Sequence, residues 1–273
     1  MSAWCLSRRA AFGEDEIAWD RFGEGPPLVL VHGFPSNSFV WRDVAPRLAE
    51  SRTVYVFDMM GFGASSQREG QDMFIRGQAR VLNRLLDHWG LDRPEIAGHD
   101  IGAAVVAMAH AASPRFRRIA LLSAAIVRPC VTENTRHVQS HIEAYRTMPP
   151  ALYQGILTIQ IRSADFRPMP DTVVEAYRKP WTGAAGQAAY YRFVGQMSDV
   201  QMAQAEEAVT GIEVPTLILW GTEDSWTAPE RGDALERLIP DSHQTRVAGG
   251  GHFVMDDEPV AVADALDRFF VET

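Results

Sequence analysis

The residues best suited to chemistry begin with an aspartate set between two glycines. Asp100 stands in Gly98-His99-Asp100-Ile101-Gly102, which follows a short strand-like run and opens a helix of small residues. A turn of the form Gly-x-nucleophile-x-Gly presents its central side chain clear of the sheet, and glycines are needed where Cβ atoms would collide. A carboxylate in that place can act as a nucleophile. The residues alone leave a second interpretation open, in which Asp100 caps the helix.

Two further residues could complete a catalytic group with Asp100. Asp224 follows the apolar run 217–220, and His252 stands on the glycine-rich turn Gly249-Gly250-Gly251-His252-Phe253. An imidazole can take a proton from water near neutral pH, and a carboxylate can orient it. The order nucleophile, acid, base is the order found in α/β hydrolases. Glu223, the neighbour of Asp224, is the fallback acid.

The chain resembles an α/β hydrolase along essentially its whole length. His32-Gly33-Phe34-Pro35 is similar to the oxyanion-hole loop of that family, and Gly61-Phe62-Gly63-Ala64-Ser65 is similar to the exit of its fourth strand. The resemblance implies a mostly parallel central sheet flanked by helices, with a helical lid inserted between late strands. It also implies that the backbone N–H groups of Phe34 and Ile101 form an oxyanion hole.

The aspartate at the nucleophile position makes the chain similar to soluble epoxide hydrolases and, less closely, to haloalkane and fluoroacetate dehalogenases. A carboxylate attacks an sp3 carbon by displacement and forms an alkyl ester, whereas attack on a carboxylic ester would give a reactive anhydride. Water activated by His252 would then attack the carbonyl carbon of Asp100, and Asp224 would orient the imidazole. The predicted substrate is therefore a small apolar molecule with an electrophilic alkyl carbon, either an epoxide or an alkyl halide.

Epoxide opening needs an acidic O–H group beside the leaving oxygen, and epoxide hydrolases supply it from two lid tyrosines. The segment Tyr190-Tyr191-Arg192 resembles the one that carries the first of these, which maps onto Tyr191. Tyr145 is the preferred candidate for the second, with Tyr153 as the reserve. Ordinary packing of these amphipathic side chains is the alternative explanation.

Dehalogenases differ from this chain at the positions that hold their leaving group or substrate. Haloalkane dehalogenases carry tryptophan after the nucleophile and often asparagine after the His-Gly pair, where this chain has Ile101 and Phe34. Fluoroacetate dehalogenases place arginines after the nucleophile, where this chain has Ile101 and Ala104. Epoxide hydrolases also usually have tryptophan directly after the nucleophile, at the position of Ile101. The prediction is an epoxide hydrolase yielding vicinal diols; the alternative is a haloalkane dehalogenase-type hydrolase, and a remote one is a noncatalytic ligand-binding relative.

The elements that must position these residues follow from hydrophobic patterning. Strand-like runs alternate with helical patterns, as expected for βαβ units, and the predicted strands are 28–31, 53–57, 95–97, 119–122, 215–220 and 244–247. Helices are predicted over 74–89 and 258–270. The alternation stops between 127 and 211, which holds five of the six tyrosines and no convincing strand. The expected domains are a core at 1–126 and 212–273 and a helical lid, or cap, at 127–211.

Composition excludes several other classes of protein. The 273 residues include 26 Lys+Arg and 35 Asp+Glu, a formal charge of −9, which argues against binding to nucleic acid or an anionic membrane. Cys5 and Cys130 form no disulfide framework, residues 1–9 lack the apolar stretch of a secretory signal, and no apolar segment has the length of a membrane span. A cytoplasmic location is expected. The histidines show no metal-ligand spacing, so no metal or cofactor is predicted, and the oligomeric state stays open.

Overall fold

A computed structural model describes residues 4–271, so residues 1–3 and 272–273 of the predicted core lie outside it. Within the described residues one sheet has the order β1-β2-β4-β3-β5-β6-β7-β8. Its strands are β1 Arg8–Phe12, β2 Asp15–Phe22, β3 Pro27–Val31, β4 Thr53–Phe57, β5 Glu95–His99, β6 Ile119–Leu122, β7 Thr216–Gly221 and β8 Ser242–Val247. The six predicted strands are confirmed, with end points that shift by at most two residues.

The hairpin of β1 and β2 is absent from the prediction. Both strands carry charged residues and have several exposed or half-exposed positions; β1 pairs antiparallel with β2, and β2 pairs antiparallel with β4. The remaining strands pair in parallel and are buried almost throughout apart from the edge strand β8. Strands covered on both faces produce continuous apolar runs, whereas a half-exposed hairpin does not. The mostly parallel α/β sheet flanked by helices is therefore confirmed.

Helices connect the strands and cover the sheet. They are α1 Ala45–Leu48, α2 Ile75–His88, α3 Ile101–Ala112, α4 Glu133–Ser140, α5 Ile142–Arg146, α6 Pro150–Arg162, α7 Asp171–Arg178, α8 Gly183–Gln196, α9 Asp199–Val209, α10 Glu230–Glu236, α11 Val254–Asp257 and α12 Pro259–Val271. The predicted helices at 74–89 and 258–270 correspond to α2 and α12. Gly90 lies just beyond the end of α2 and has φ +67°. Glycine adopts this left-handed conformation readily, and helices commonly end at such a residue.

The sheet register brings the predicted site residues to one edge. Val31 pairs with Gly98 across β3 and β5, so the loop after β3 lies beside the turn that holds Asp100. Gly221 pairs with Val247 across β7 and β8, so the loops that carry Asp224 and His252 also begin side by side. Because the carboxyl ends of parallel strands meet at the same edge, all four loops converge there.

Helices α4 to α9 lie between β6 and β7, where the lid was expected, and the described residues of this stretch form no strand. We call α4 to α8 the helical insertion. Helix α9 packs on α2 and α3, beside the sheet. The domain division at 127 and 211, and the function of the insertion as a lid, stay predictions. No helix among residues 4–271 is long and apolar enough to cross a membrane.

Candidate functional site

Asp100 occupies a sharp turn between β5 and α3. Its backbone has φ 52° and ψ −123°, a conformation that non-glycine residues adopt only under constraint. The constraint comes from the close packing of α3, because a Cβ on Gly102 would lie 2.3 Å from the backbone oxygen of His32. The Asp100 side chain makes no capping hydrogen bond to α3. The interpretation of Asp100 as a helix cap is therefore wrong.

The two oxygens of the Asp100 carboxylate have different surroundings. Oδ2 accepts a hydrogen bond from the backbone N–H of Phe34 at 2.9 Å, while Oδ1 lies 3.5 Å from Nε2 of His252. Burial alone would raise the pKa of Asp100, but the hydrogen bond and charge of His252, the charge of His99 and the backbone N–H of Ile101 together lower it. The buried carboxylate is thus held ionised.

His252 is completely buried and joined to Asp224. Its Nδ1 lies 3.0 Å from Oδ2 of Asp224, which also accepts a hydrogen bond from Oγ1 of Thr227 at 2.7 Å. Burial alone would lower the pKa of His252, but Asp224 and Asp100 raise it to about 10. Burial alone would raise the pKa of Asp224, but His252 and the hydrogen bonds from Thr227 lower it to about 2. His252 thus lies buried between two carboxylates, which favour its protonated form.

A neutral histidine, His32, orients the backbone N–H of Phe34. The backbone N–H of Met59 donates to Nε2 of His32 at 2.9 Å, so the proton of His32 is on Nδ1, which donates to the carbonyl of Gly33 at 2.8 Å. Burial lowers the pKa of His32, which favours this neutral form. Because the C=O and N–H of a trans peptide point in opposite directions, fixing the Gly33 carbonyl turns the Phe34 N–H towards Asp100.

The predicted lid tyrosines form a cluster within the insertion. The rings of Tyr145 and Tyr191 are 5.7 Å apart, and that of Tyr153 is 5.5 Å from Tyr191. Burial and the neighbouring Tyr145 raise the pKa of Tyr191 to about 12. Among residues 4–271, no hydrogen bond or ring contact joins Tyr145 or Tyr191 directly to Asp100. Tyr190, the neighbour of Tyr191, contacts the ring of Phe34, with ring centroids 5.0 Å apart.

Two side chains at the site were not predicted from the sequence. Thr227 donates from both its N–H and its hydroxyl to Asp224, and the indole of Trp226 stacks on His252 with ring centroids 4.9 Å apart. The segment Asp-Ser-Trp-Thr carries a signal for the first, since an aspartate often accepts the N–H groups two and three residues on. Glu223 is exposed and bonds Thr222, so it is not the acid.

No group of three or more His, Cys, Asp or Glu side chains among the described residues is arranged to hold a metal ion. The polar groups at the edge of the sheet instead bond one another and the backbone. The arrangement can hold a nucleophilic carboxylate, donate hydrogen bonds to one of its oxygens, and place a proton acceptor on the other side.

Comparison with known proteins gives one consistent fold and more than one reaction. The sequence profile of a family described as the alpha/beta hydrolase fold matches residues 26–259. Haloalkane dehalogenase 2 of Mycobacterium tuberculosis is 28% identical over 265 residues, which cover 90% of this chain and 89% of that protein. An alpha/beta hydrolase fold protein of Burkholderia ambifaria is 36% identical, with a TM-score of 0.92 and coverage of 96% and 97%. A thermophilic esterase of Thermogutta terrifontis is 25% identical, with a TM-score of 0.79 and coverage of 97% and 98%.

Proposed function

The chain belongs to the α/β-hydrolase family, and we propose that it is a hydrolase in which Asp100 attacks an alkyl carbon and forms a covalent ester. The observation that carries this proposal is the Asp100 carboxylate on the strained turn, with Oδ2 bonded to the Phe34 N–H and Oδ1 facing His252. A carboxylate is suited to displacement at sp3 carbon. Attack on an acyl group would instead give an anhydride.

In the first step Oδ1 is the attacking atom, because the N–H group of Phe34 holds Oδ2; the N–H group of Ile101 completes the proposed oxyanion hole. A bond forms between Oδ1 and the alkyl carbon, and the bond from that carbon to its leaving group breaks. The carboxylate becomes a neutral ester whose carbonyl oxygen is Oδ2. The same N–H groups then stabilise the negative charge that develops on Oδ2 in the second step.

The second step depends on a change in the basicity of His252. In the free protein two carboxylates raise the pKa of the imidazole to about 10. Esterification removes the charge of Asp100, so His252 loses one of its two anionic neighbours and releases its proton more readily. The neutral Nε2 can then take a proton from water as the water attacks the carbonyl carbon of the ester. Collapse of the tetrahedral intermediate breaks the bond between the carbonyl carbon and the alkyl oxygen; the released alcohol takes the second proton of the water, and the carboxylate and the imidazolium are restored. The proton that His252 released earlier is the one that neutralises the epoxide alkoxide or accompanies the halide into solvent.

An epoxide is the substrate that the tyrosine cluster favours. The hydroxyl of Tyr153 is buried and has no hydrogen-bond partner among the described residues; Tyr191 lies beside Tyr153, and Tyr145 lies beside Tyr191. Phenol groups can donate to the alkoxide formed when an epoxide ring opens. Two indole N–H groups near the site are already bonded, since Trp181 donates to Pro35 and Trp226 donates to Ser163. Neither is free to hold a halide.

An alkyl halide is the second candidate substrate. It is favoured by similarity to haloalkane dehalogenase 2 of Mycobacterium tuberculosis over nine-tenths of the chain. Asp100 and His252 would act as with an epoxide, and only the groups that receive the leaving atom would differ.

One experiment separates the candidates. Styrene oxide and 1-bromobutane are supplied in parallel, and diol and bromide are measured alongside the intact mass of the protein. An epoxide hydrolase yields diol, and the His252→Gln variant retains a covalent adduct on Asp100 because its ester cannot be hydrolysed. Release of bromide without diol would support the second candidate. No product and no adduct with either compound would reject an alkyl-ester mechanism for these substrates and leave a noncatalytic binding protein as the explanation.

A further inference from the structure

The turn that carries His252 is held from outside the sheet by the connection between α6 and α7. We call residues 249–253 the histidine loop and residues 163–167 the clamp segment. The carbonyl of Ala164 accepts hydrogen bonds from the backbone N–H groups of His252 at 2.7 Å and of Phe253 at 3.1 Å. The indole of Trp226, which stacks on the His252 ring, donates to Oγ of Ser163 at 3.0 Å. The clamp segment therefore contacts the backbone and the ring neighbour of the proposed base.

Asp257 joins the two segments through backbone N–H groups. Its Oδ2 accepts hydrogen bonds from Gly251 and Phe166, both at 2.8 Å, and its Oδ1 accepts one from Arg167 at 2.9 Å. The residue is only 5% exposed. Three N–H donors on one buried carboxylate are charge-assisted bonds, which are stronger than those between neutral groups. Removing the carboxylate would leave three N–H groups without this acceptor.

The histidine loop has little rigidity of its own. Residues 249–251 are all glycine, and glycine has more backbone freedom than any other residue. At Gly251 a side chain is excluded by the clamp, because a Cβ there would lie 2.5 Å from the backbone nitrogen of Phe166. The backbone position of His252 thus depends on bonds from outside the loop, which are those to the clamp segment and to Asp257 and the one between Nε2 of His99 and the carbonyl of His252 at 2.9 Å.

We propose that Asp257 is a positioning residue, which couples the helical insertion to the proposed base by fixing the histidine loop against the clamp segment. The inference rests on the proposed function, in which His252 acts mainly on the second step. The insertion then has a role beyond covering the substrate, because its clamp segment sets the distance between the imidazole and the ester. Asp257 touches neither the substrate nor the reacting atoms.

This role predicts a selective loss. When Asp257 is replaced by Ala, the histidine loop loses its central acceptor and His252 is displaced. Misplacement of a catalytic group by about 1 Å can cost about 10²-fold in rate. We expect ester hydrolysis to slow by roughly that factor while alkylation of Asp100, which does not use His252 as a base, changes much less. The covalent ester should therefore accumulate during turnover.

The test uses Asp257→Ala and the milder Asp257→Asn, with Glu258→Gln as the matched control. Glu258 forms an ion pair with the side chain of Arg167, so the control loosens the same surface but keeps every backbone bond of the clamp. Alkylation and ester hydrolysis are timed separately by rapid quench and intact mass with styrene oxide and 1-bromobutane. Ester accumulation in both Asp257 variants but not in the control is expected. Equal slowing of both steps, or no slowing of either, would overturn the proposal.

A second measurement needs no substrate. The imidazole of His252 is titrated by NMR in the parent, Asp257→Asn and Glu258→Gln, together with the melting temperature of each. A loosened loop weakens the contact of Nδ1 with Asp224, so the pKa of His252 should fall by about one unit in Asp257→Asn only. An unchanged titration would contradict the clamp. If no adduct forms even in His252→Gln, the alkyl-ester mechanism fails, while the titration still decides the role of Asp257.

Discussion

Asp224 at the sheet edge and Tyr153 in the tyrosine cluster differ in how completely their polar atoms are paired. Both oxygens of Asp224 are saturated: Oδ1 accepts two backbone N–H groups, and Oδ2 accepts Thr227 Oγ1 and faces His252. In the insertion, by contrast, the buried hydroxyl of Tyr153 has no partner among the described residues. A saturated group is fixed in one geometry. A buried unsatisfied hydroxyl costs free energy that a ligand can recover.

This contrast suggests a division of labour within the site. In the proposed mechanism the sheet edge supplies the steps that every substrate would share, which are attack by Asp100 and hydrolysis through His252. In the same proposal the insertion supplies the groups that meet the leaving atom and therefore distinguishes one substrate from another. Substitutions at the sheet edge should abolish turnover of all substrates, whereas substitutions in the cluster should change the preference among them.

Replacing the nucleophile should have the largest effect. In Asp100→Asn the amide is a far weaker nucleophile than the carboxylate, so alkylation should fall by at least about 10⁴-fold, as for other nucleophile losses. Epoxide and halide turnover should be lost together, as measured by diol, bromide and the absence of an adduct in intact mass. If one substrate were still turned over at the parent rate, that substrate would not use Asp100, and the proposed division of labour would be wrong.

The orienting carboxylate should give the next largest loss. Asp224→Asn keeps the shape of the side chain but removes the charge that stabilises the His252 imidazolium, and ester hydrolysis should slow by about 10³- to 10⁴-fold. Glu223→Gln is the matched control, since Glu223 is adjacent but exposed, and its turnover should equal that of the parent. Separate timing of the two steps checks the result. Equal rates in the two variants would mean that Asp224 does not act on His252.

The tyrosine cluster should give a smaller and substrate-specific effect. Tyr191→Phe keeps the packing of the ring but removes a donor to the developing alkoxide, so epoxide alkylation should slow by on the order of 10²-fold. Halide release and ester hydrolysis should change little. Stopped-flow measurement of alkylation by Tyr191→Phe, together with Tyr145→Phe and Tyr153→Phe, identifies the second donor. If all three variants alkylate epoxide at the parent rate, the cluster is packing alone.

The sequence indicates the sheet edge better than the insertion for a physical reason. Asp100 and His252 are recognisable because sharp turns and close packing restrict their neighbours to glycine, and Asp224 because it follows shortly after a buried strand. Those constraints are local and therefore visible in the chain. Asp257 and the clamp segment are about ninety residues apart, and the Asp257 carboxylate binds backbone N–H groups of the clamp, which leave no pattern in the sequence. The relative placement of Tyr145, Tyr153 and Tyr191 likewise depends on helix packing.

The smallest expected effect concerns Asp165, at the boundary of the two regions. Its Oδ1 is buried without a hydrogen-bond partner among the described residues. Burial, with the nearby Asp256 and Asp257, raises the pKa of Asp165 to about 9, although Arg42 and His252 act in the opposite direction. Between about pH 4 and pH 9 the folded protein therefore holds a proton that the unfolded chain has released. Stability from this group is fully present below pH 4 and is lost as the pH rises towards 9.

Asp165→Asn tests whether ionisation of Asp165 destabilises the folded protein, as its raised pKa indicates. The amide stays neutral at every pH, so the variant should lose part of the decline in melting temperature between pH 5 and pH 9. Its gain over the parent at pH 9 should be a few degrees, which is the usual scale of about 1 kcal/mol in a chain of this size. Some decline should remain, because the raised pKa of His252 acts in the same direction above pH 6.5. Melting temperatures across that range, with the exposed-site variant Glu223→Gln as the control, provide the measurement. Identical pH profiles for Asp165→Asn and the parent would mean that the boundary accommodates an ionised Asp165. Buried polar groups without hydrogen-bond partners would then be a feature of the tyrosines of the insertion and not of this boundary.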